Sequence, residues 1–382
     1  MNMRGSQSLE DRLIAVRRRP SGFDYMRISL ALMVFLAHTI QVVGGDIVAT
    51  VVWKGPAQPI LVAILPMFFA LSGFLVSGSL ERCRTLVSFL GLRVMRIIPA
   101  LAFETLISAL ILGPIFTSLS LGGYLSSAGF YAYLLNIVGD VHMKLPGVFL
   151  DNIYPDTVNA QLWVLPRELK CYILLGLMFF VGLVKPTRQT LVFVILLHIA
   201  TAIYFSFGVA HSGTDGLTVR GWVLILSFIA GVTLYIYRKY VPWNFPLFMV
   251  SALACTFMLS FNGGDSFSPI PVAYATVYLG LCNPARNWVI NSGDYSYGIY
   301  LYGFPLQQAV AALGPWTAHW YVNIALALPA TILLAVLSWY LVEKPILRLR
   351  PHLTRLEDRA IVVRDSLHGA WTGWVRRSLS NE

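Results

Sequence analysis

Charge is what this sequence has least of. Of its 382 residues only 12% are charged, against about a quarter in soluble domains. Apolar residues make up 57%, and the mean hydropathy is +0.68. That composition excludes an ordinary soluble enzyme and describes a polytopic membrane protein of the all-α class. Cysteine is scarce as well: Cys83, Cys171, Cys255 and Cys282 are scattered, mostly in apolar runs, with neither metal-ligand spacing nor a disulfide framework. No metal is expected. Walker loops, GxGxxG, HExxH and GxSxG are all missing, so ATP-driven transport and the usual hydrolase elbows have no support. No small-residue cleavage site follows the first apolar run, which therefore reads as a retained helix and not a signal peptide. The net charge of +10 belongs to loops flanking membrane helices, not to nucleic-acid binding.

A helix needs about 20 residues to cross a hydrocarbon core of about 30 Å. Apolar runs of that order occur near 26–43, 59–80, 97–117, 121–138, 162–184, 189–208, 221–237, 244–261, 269–284, 295–313 and 321–342. Arg12, Arg17, Arg18 and Arg19 place the N-terminus in the cytoplasm, and Arg82, Arg84, Arg93 and Arg96 follow the second run. The tail carries Lys344, Arg348, Arg350, Arg355 and Arg359, which makes it cytoplasmic too. Counting from both ends agrees only if 97–117 and 121–138 cross once between them. The expectation is therefore ten spans, with 121–138 re-entrant or interfacial and the loop 139–160 outside with 211–216. The organisation read from this is a basic N-terminus (1–22), a transmembrane domain (23–345) and a basic tail (346–382), whose Trp371 and Trp374 suit a helix lying on an anionic leaflet.

An ionisable residue at membrane depth is costly, and by default it marks a pore, a relay or a site. Arg27 and His38 stand in the first run, in FDYMRISLALMVFLAH. Eleven residues on a helix rise about 16 Å and turn about 20° beyond three full turns, so the two side chains share one face. Arg27 then lies near the cytoplasmic boundary and His38 past mid-bilayer. An arginine at a helix start is commonly a snorkelling anchor, and a lone histidine a polar contact between helices. Their alignment favours a shared site. Asp24 can cap the helix and pair with Arg27.

The segment DYMRISLALMVFLAH resembles the first helix of the acyltransferase-3 family of integral membrane O-acyltransferases, marked by arginine, ten residues, histidine. Five further stretches resemble that family in the same order. They are PMFFALSGFLVSGSL (66–80), FLGLRVMRIIPAL (89–101), QLWVLPRELKCYILL (161–175), GDYSYGIYLYGFP (293–305) and VEKP (342–345). Gly303 stands where many members carry a histidine, so no role for that histidine carries over. The resemblance implies a standalone member without an added extracytoplasmic domain.

The chemistry can be argued from residue types alone. Acyl transfer to a hydroxyl needs a base near neutrality, which histidine supplies. An acyl-CoA donor carries phosphates at one end, and arginines suit them. Arg93 and Arg96, three apart on one helix face, can clamp phosphates beside Arg27, with His38 acting where the acyl group arrives. Glu168, expected at a depth similar to His38, is assigned to orient the imidazole, with pairing to Arg167 or Lys170 as the structural alternative. Ser72, Tyr297 and Tyr300 are expected to line the same tunnel. The expected catalytic set is thus His38, Glu168 and Arg27. The expected donor-binding set is Arg27, Arg93, Arg96, Ser72, Tyr297 and Tyr300. The reading is a bacterial inner-membrane enzyme moving an acyl group, acetyl above all, from cytoplasmic acetyl-CoA or another acyl-CoA to a hydroxyl of a carbohydrate or lipid-linked glycan. The alternative is a proton-coupled transporter or flippase with His38 as relay, against which the lack of an internal repeat counts.

Overall fold

The computed structural model describes residues 7–17, 20–204, 219–261, 263–352 and 357. Among them the regular structure is helical, and two isolated bridges, Ser8 to Pro242 and Thr117 to Val148, are the strand-like contacts. Helix α1 (Leu9–Ala15) opens on a capping box between Ser8 and Asp11. It lies against the 238–241 loop, where Leu9 N donates to Val241 O at 2.9 Å. Helix α2 (Ser21–Trp53) is a long rod interrupted at Gly45, whose φ of 66° no helix contains. Helix α3 (Gln58–Arg82) follows.

Helix α4 (Leu86–Ile107) runs through a π turn at 108–112 into α5 (Gly113–Phe116). Proline lacks an N–H and its ring clashes with the carbonyl four residues back. The widened turn just before Pro114 accommodates both effects. Helices α6 (Leu121–Ser126) and α7 (Ala128–Leu134) are short and end in a tight turn at 135–138. Next come α8 (Leu165–Phe180), α9 (Arg188–Ile203), α10 (Gly221–Ile236), α11 (Phe245–Leu259), α12 (Pro269–Gly280), α13 (Trp288–Ser292) and α14 (Ser296–Ala311). Helix α15 (Trp320–Ser338) passes through a second π turn, 339–343, into α16 (Lys344–Leu347), again just before a proline, Pro345.

Among the described residues four stretches are long and apolar enough to cross a membrane: Gly22–Trp53, Gln58–Arg82, Leu86–Phe116 and Trp320–His352. Further apolar helices, including Arg188–Thr201, Gly221–Ile236 and Phe245–Leu259, reach at most about 24 Å at 1.5 Å per residue. The segment 121–138 forms no continuous rod. Ser118 N donates to Gly147 O at 2.9 Å, so the chain leaves and returns at the same end of α5. Between those points Tyr133 reaches Glu104 of α4. The expected outer loop 211–216 and the tail with Trp371 and Trp374 lie outside the described residues.

The tightest helix contact is between α3 and α10. A Cβ added to Gly73 would fall 2.1 Å from Phe228 O, and one added to Gly231 would fall 2.1 Å from Ala70 O. Backbone meets backbone here, the small-residue packing that holds helices together where lipid offers no hydrophobic drive. The core around this contact, including Phe69, Val76, Ile97, Leu165, Tyr172 and Phe228, forms one wall of the site described next. Gly73→Ala or Gly231→Ala should therefore force α3 and α10 apart at a cost of about 1–3 kcal/mol, read as a drop of several degrees in the unfolding midpoint in detergent. Gly122→Ala, with nothing within 4 Å of the new methyl, should leave the midpoint in place.

Candidate active site

Seven of the eight residues singled out by sequence converge on one cavity. Arg27 of α2, Ser72 of α3, Arg93 and Arg96 of α4, Glu168 of α8, and Tyr297 and Tyr300 of α14 all line it. Successive turns of α4 set Arg93 and Arg96 side by side, as their spacing predicts. Their charges are organised by two carboxylates that the sequence reading did not assign. Asp294, in the connector before α14, accepts from Arg96 at 2.6 Å and from Arg27 at 3.4 Å through one oxygen, while Glu343 accepts from Arg96 at 3.2 Å. Ser296 Oγ donates to the other Asp294 oxygen at 2.7 Å. Ser338 Oγ donates to Glu343 and itself accepts from Tyr302. The signal was present, because both acids sit inside the motifs GDYSYGIYLYGFP and VEKP.

Arg93 is held differently. One guanidinium nitrogen donates to Ser79 Oγ at 3.1 Å, and its buried Nε has no partner among the described residues. An adjoining cavity shares Arg27, Val76 and Arg93 and adds Arg82, Arg84, Arg286 and Arg350, against the carboxylates of Asp24 and Glu357. Arg286 pairs with Asp24 at 3.2 Å. The arrangement is a funnel of guanidiniums opening onto the Arg27 end of α2.

His38 lines a second cavity. Val34, Ala37, His38 and Gln41 present one stripe of α2 to it, facing Tyr154, Trp163, Arg167 and Arg220. Arg27 and His38 thus share an inward face, but among the described residues they line two cavities and not one tunnel, and Leu65 and Tyr300 are the residues common to both. Tyr300 is fixed there by donating its hydroxyl to Gln161 O at 2.9 Å. The His38 ring packs edge-on to Phe304, with centroids 5.2 Å apart, and its Nδ1 lies 3.3 Å from Gln41 Oε1. With Nδ1–H donated to that amide oxygen, Nε2 carries the lone pair.

Glu168 does not orient His38. Its carboxylate accepts from the Tyr172 hydroxyl and faces Arg93, Arg96 and Arg27. Among the described residues, its pairing with Arg167 or Lys170 is not seen either. Neighbouring helical residues point about 100° apart, so Arg167 turns into the His38 cavity while Glu168 turns to the arginines. Depth alone could not tell these two directions apart. The orienting partner is Gln41, three residues beyond His38 on the same helix, a spacing legible in AHTIQ.

Burial raises the Asp294 carboxyl, but Arg96 and Arg27 outweigh it and hold its pKa at about 2, below the ordinary 3.8. The pairing therefore stabilises fully above about pH 4 and loses that contribution as pH falls towards 2. Asp294→Asn should lower the unfolding temperature at pH 7 and flatten its dependence between pH 4 and 2. Thermal unfolding in detergent across that range checks it, and an unchanged acid limb contradicts it.

The comparisons with known proteins cover the stretch of chain that holds these residues. The family model for the acyltransferase-3 group, described as an acyltransferase domain, matches residues 21–343. A protein named O-acetyl transferase from Shigella phage Sf6 is 26% identical over 352 residues, covering 84% of this chain and 94% of that protein. Nodulation protein 10 of Rhizobium leguminosarum bv. viciae is 25% identical over 357 residues, covering 87% of this chain and 95% of that protein. No solved structure matches. The matched region begins at the start of α2, ends at Glu343 and contains every residue of both cavities: the chain belongs to the acyltransferase-3 family and is a membrane acyltransferase.

Proposed function

We propose that the protein is an O-acyltransferase that moves an acyl group, acetyl above all, from acyl-CoA to a hydroxyl of a carbohydrate or lipid-linked glycan. The observation that carries this reading is the partition of the site, with an arginine-lined cavity at the Arg27 end of α2 and a histidine-bearing cavity beyond Tyr300. Guanidiniums recognise phosphates through charge-assisted, often bidentate hydrogen bonds, so the donor's phosphates belong with Arg27, Arg93 and Arg96. Glu168 and Asp294 keep those arginines apart and aimed. The pantetheine arm then runs along Ser72 and Tyr297 towards Tyr300. In the transfer step His38 Nε2 takes the acceptor hydroxyl proton, the alkoxide oxygen bonds to the thioester carbonyl carbon, and the carbon–sulfur bond breaks. The thiolate of CoA leaves and is protonated in turn. Gln41 fixes the tautomer that makes Nε2 the base.

The sidedness follows the charge rule. With Arg12 and Arg17 ahead of α2 and Lys344, Arg348 and Arg350 near the other end, both termini lie in the cytoplasm of a bacterial inner membrane and about ten segments cross it. The arginine funnel then draws acyl-CoA from the cytoplasm, and the His38 cavity opens towards the outer half of the bilayer. The relative's printed name, O-acetyl transferase, supports acetyl as the group moved.

The two ends of α2 should separate functionally. Arg27→Ala should weaken acetyl-CoA binding, while His38→Ala should leave binding intact and lower transfer by about 10²–10⁴-fold, the usual contribution of a general base. Equilibrium binding and release of free CoA measure the two effects, and loss of donor binding in both variants at unchanged folding would sink the assignment. Gln41→Leu should lower the turnover rate with little change in donor binding. Glu168→Gln should change donor affinity and leave the acidic limb of the pH–rate profile where it is, since Glu168 does not touch His38; a moved limb would restore the coupling that the geometry denies.

A further inference from the structure

The His38 cavity concentrates positive charge where the described residues supply little to balance it. Arg167 of α8 and Arg220, the residue capping α10, both line it. Arg220 makes no side-chain capping bond, and α10 has no acidic residue in its first turn. Arg167 is seated against that same helix end: its Nε lies 3.0 Å from where a Cβ on Gly221 would be. The N-terminus of a helix carries about half a positive charge, so two guanidiniums beside it repel the dipole as well as each other. Asp265 offers one carboxylate, at 3.7 Å from Arg220, and that oxygen makes no hydrogen bond. Arg167 donates to Trp163 O at 2.5 Å and lies 4.9 Å over the Trp163 ring, contacts that orient it without neutralising it. Among the described residues, the other titratable groups on this cavity are His38 and two tyrosines, Tyr154 and Tyr300. An anion bound between Arg167 and Arg220 would remove the conflict, as anions do at helix N-termini.

Aromatic rings stand beside this charge. Trp53, Trp163 and Tyr154 line the same cavity as His38, and flat apolar faces beside polar groups suit a sugar ring. Resting on the reading that the acceptor hydroxyl meets His38 here, we propose that the acceptor is an anionic glycan whose carboxylate or phosphate is bound by Arg167 and Arg220 at the N-terminus of α10. The sugar lies on the tryptophan and tyrosine faces, and the anion fixes which hydroxyl reaches Nε2. The two arginines are specificity residues in this scheme. They do not touch the donor.

The test uses the full-length protein in detergent without donor, titrated with a fluorescently labelled glucuronic-acid oligosaccharide and its neutral glucose counterpart. The acidic probe should bind about tenfold tighter or more, the scale of one hydrogen bond to a charged group, with the advantage shrinking as salt rises. Arg220→Gln should abolish the difference, and Arg167→Lys, which keeps charge but not the planar fork, should reduce it. Displacement of the acidic probe by methyl phosphate at lower concentration than by acetate assigns the anion to a phosphate-linked carrier; the reverse assigns it to an acidic sugar. Equal binding of both probes, or a preference that survives Arg220→Gln, overturns the proposal. Acetyl-CoA binding to the same samples is measured in parallel: its loss in wild type would refute the donor reading while leaving the anion site to stand or fall on the glycan titration.

Discussion

Three arginines face one cavity of an apolar helical bundle, and Asp294 is the group that lets two of them stand together. Its single oxygen bridges Arg27 on α2 and Arg96 on α4, while Glu343 takes the remaining face of Arg96 from the turn before α16. The bridging side chains are part-buried and Glu343 is buried, so removing one partner leaves a charge poorly compensated, at a cost above what the pair itself contributes. The bridge therefore ties α2, α4, the start of α14 and the end of α15 into one unit. Arg93, by contrast, keeps a buried nitrogen without a partner among the described residues. The cluster is thus compensated at Arg27 and Arg96 and left incomplete at Arg93, where the proposed function puts a donor phosphate.

From that fixed end the rest of the site follows by helix geometry. Helix α2 carries Arg27 and His38 on one face, and α14 inserts Tyr300 between the cavities they open into. The α3–α10 backbone contact holds the far wall rigid. The 139–160 loop closes the His38 cavity with Met143 and Tyr154. Gln308 of α14 latches that loop by donating to Tyr154 O and Thr157 O, both at 2.7 Å. The Arg27 cluster and His38 are thereby kept on opposite sides of Leu65 and Tyr300.

Much of this was legible beforehand, for a physical reason. Hydropathy and the scarcity of charge give an all-α membrane chain, and helical periodicity alone aligns Arg27 with His38. Ser72, Arg93, Arg96, Glu168, Tyr297 and Tyr300 were placed at the site, and the structure gathers all six at the Arg27 cavity. Two things escaped. Direction around a helix axis is not given by depth, so Glu168 was matched to a histidine that it turns away from. Long-range pairing is invisible to local pattern, so Asp294, Glu343 and the wall formed by Tyr300 emerged only when distant helices met. The Arg27–His38 tunnel became two cavities for the same reason.

The most direct measurement is a cryo-electron-microscopy structure of the protein with a non-hydrolysable acetyl-CoA analogue. The account predicts phosphate density against Arg27 and Arg93, the Asp294 bridge intact, and the acyl end past Ser72 and Tyr297 at Tyr300, within reach of His38 Nε2. Phosphate density in the His38 cavity against Arg167 and Arg220, or an acyl end that stops among the arginines with Tyr300 closed, would contradict it.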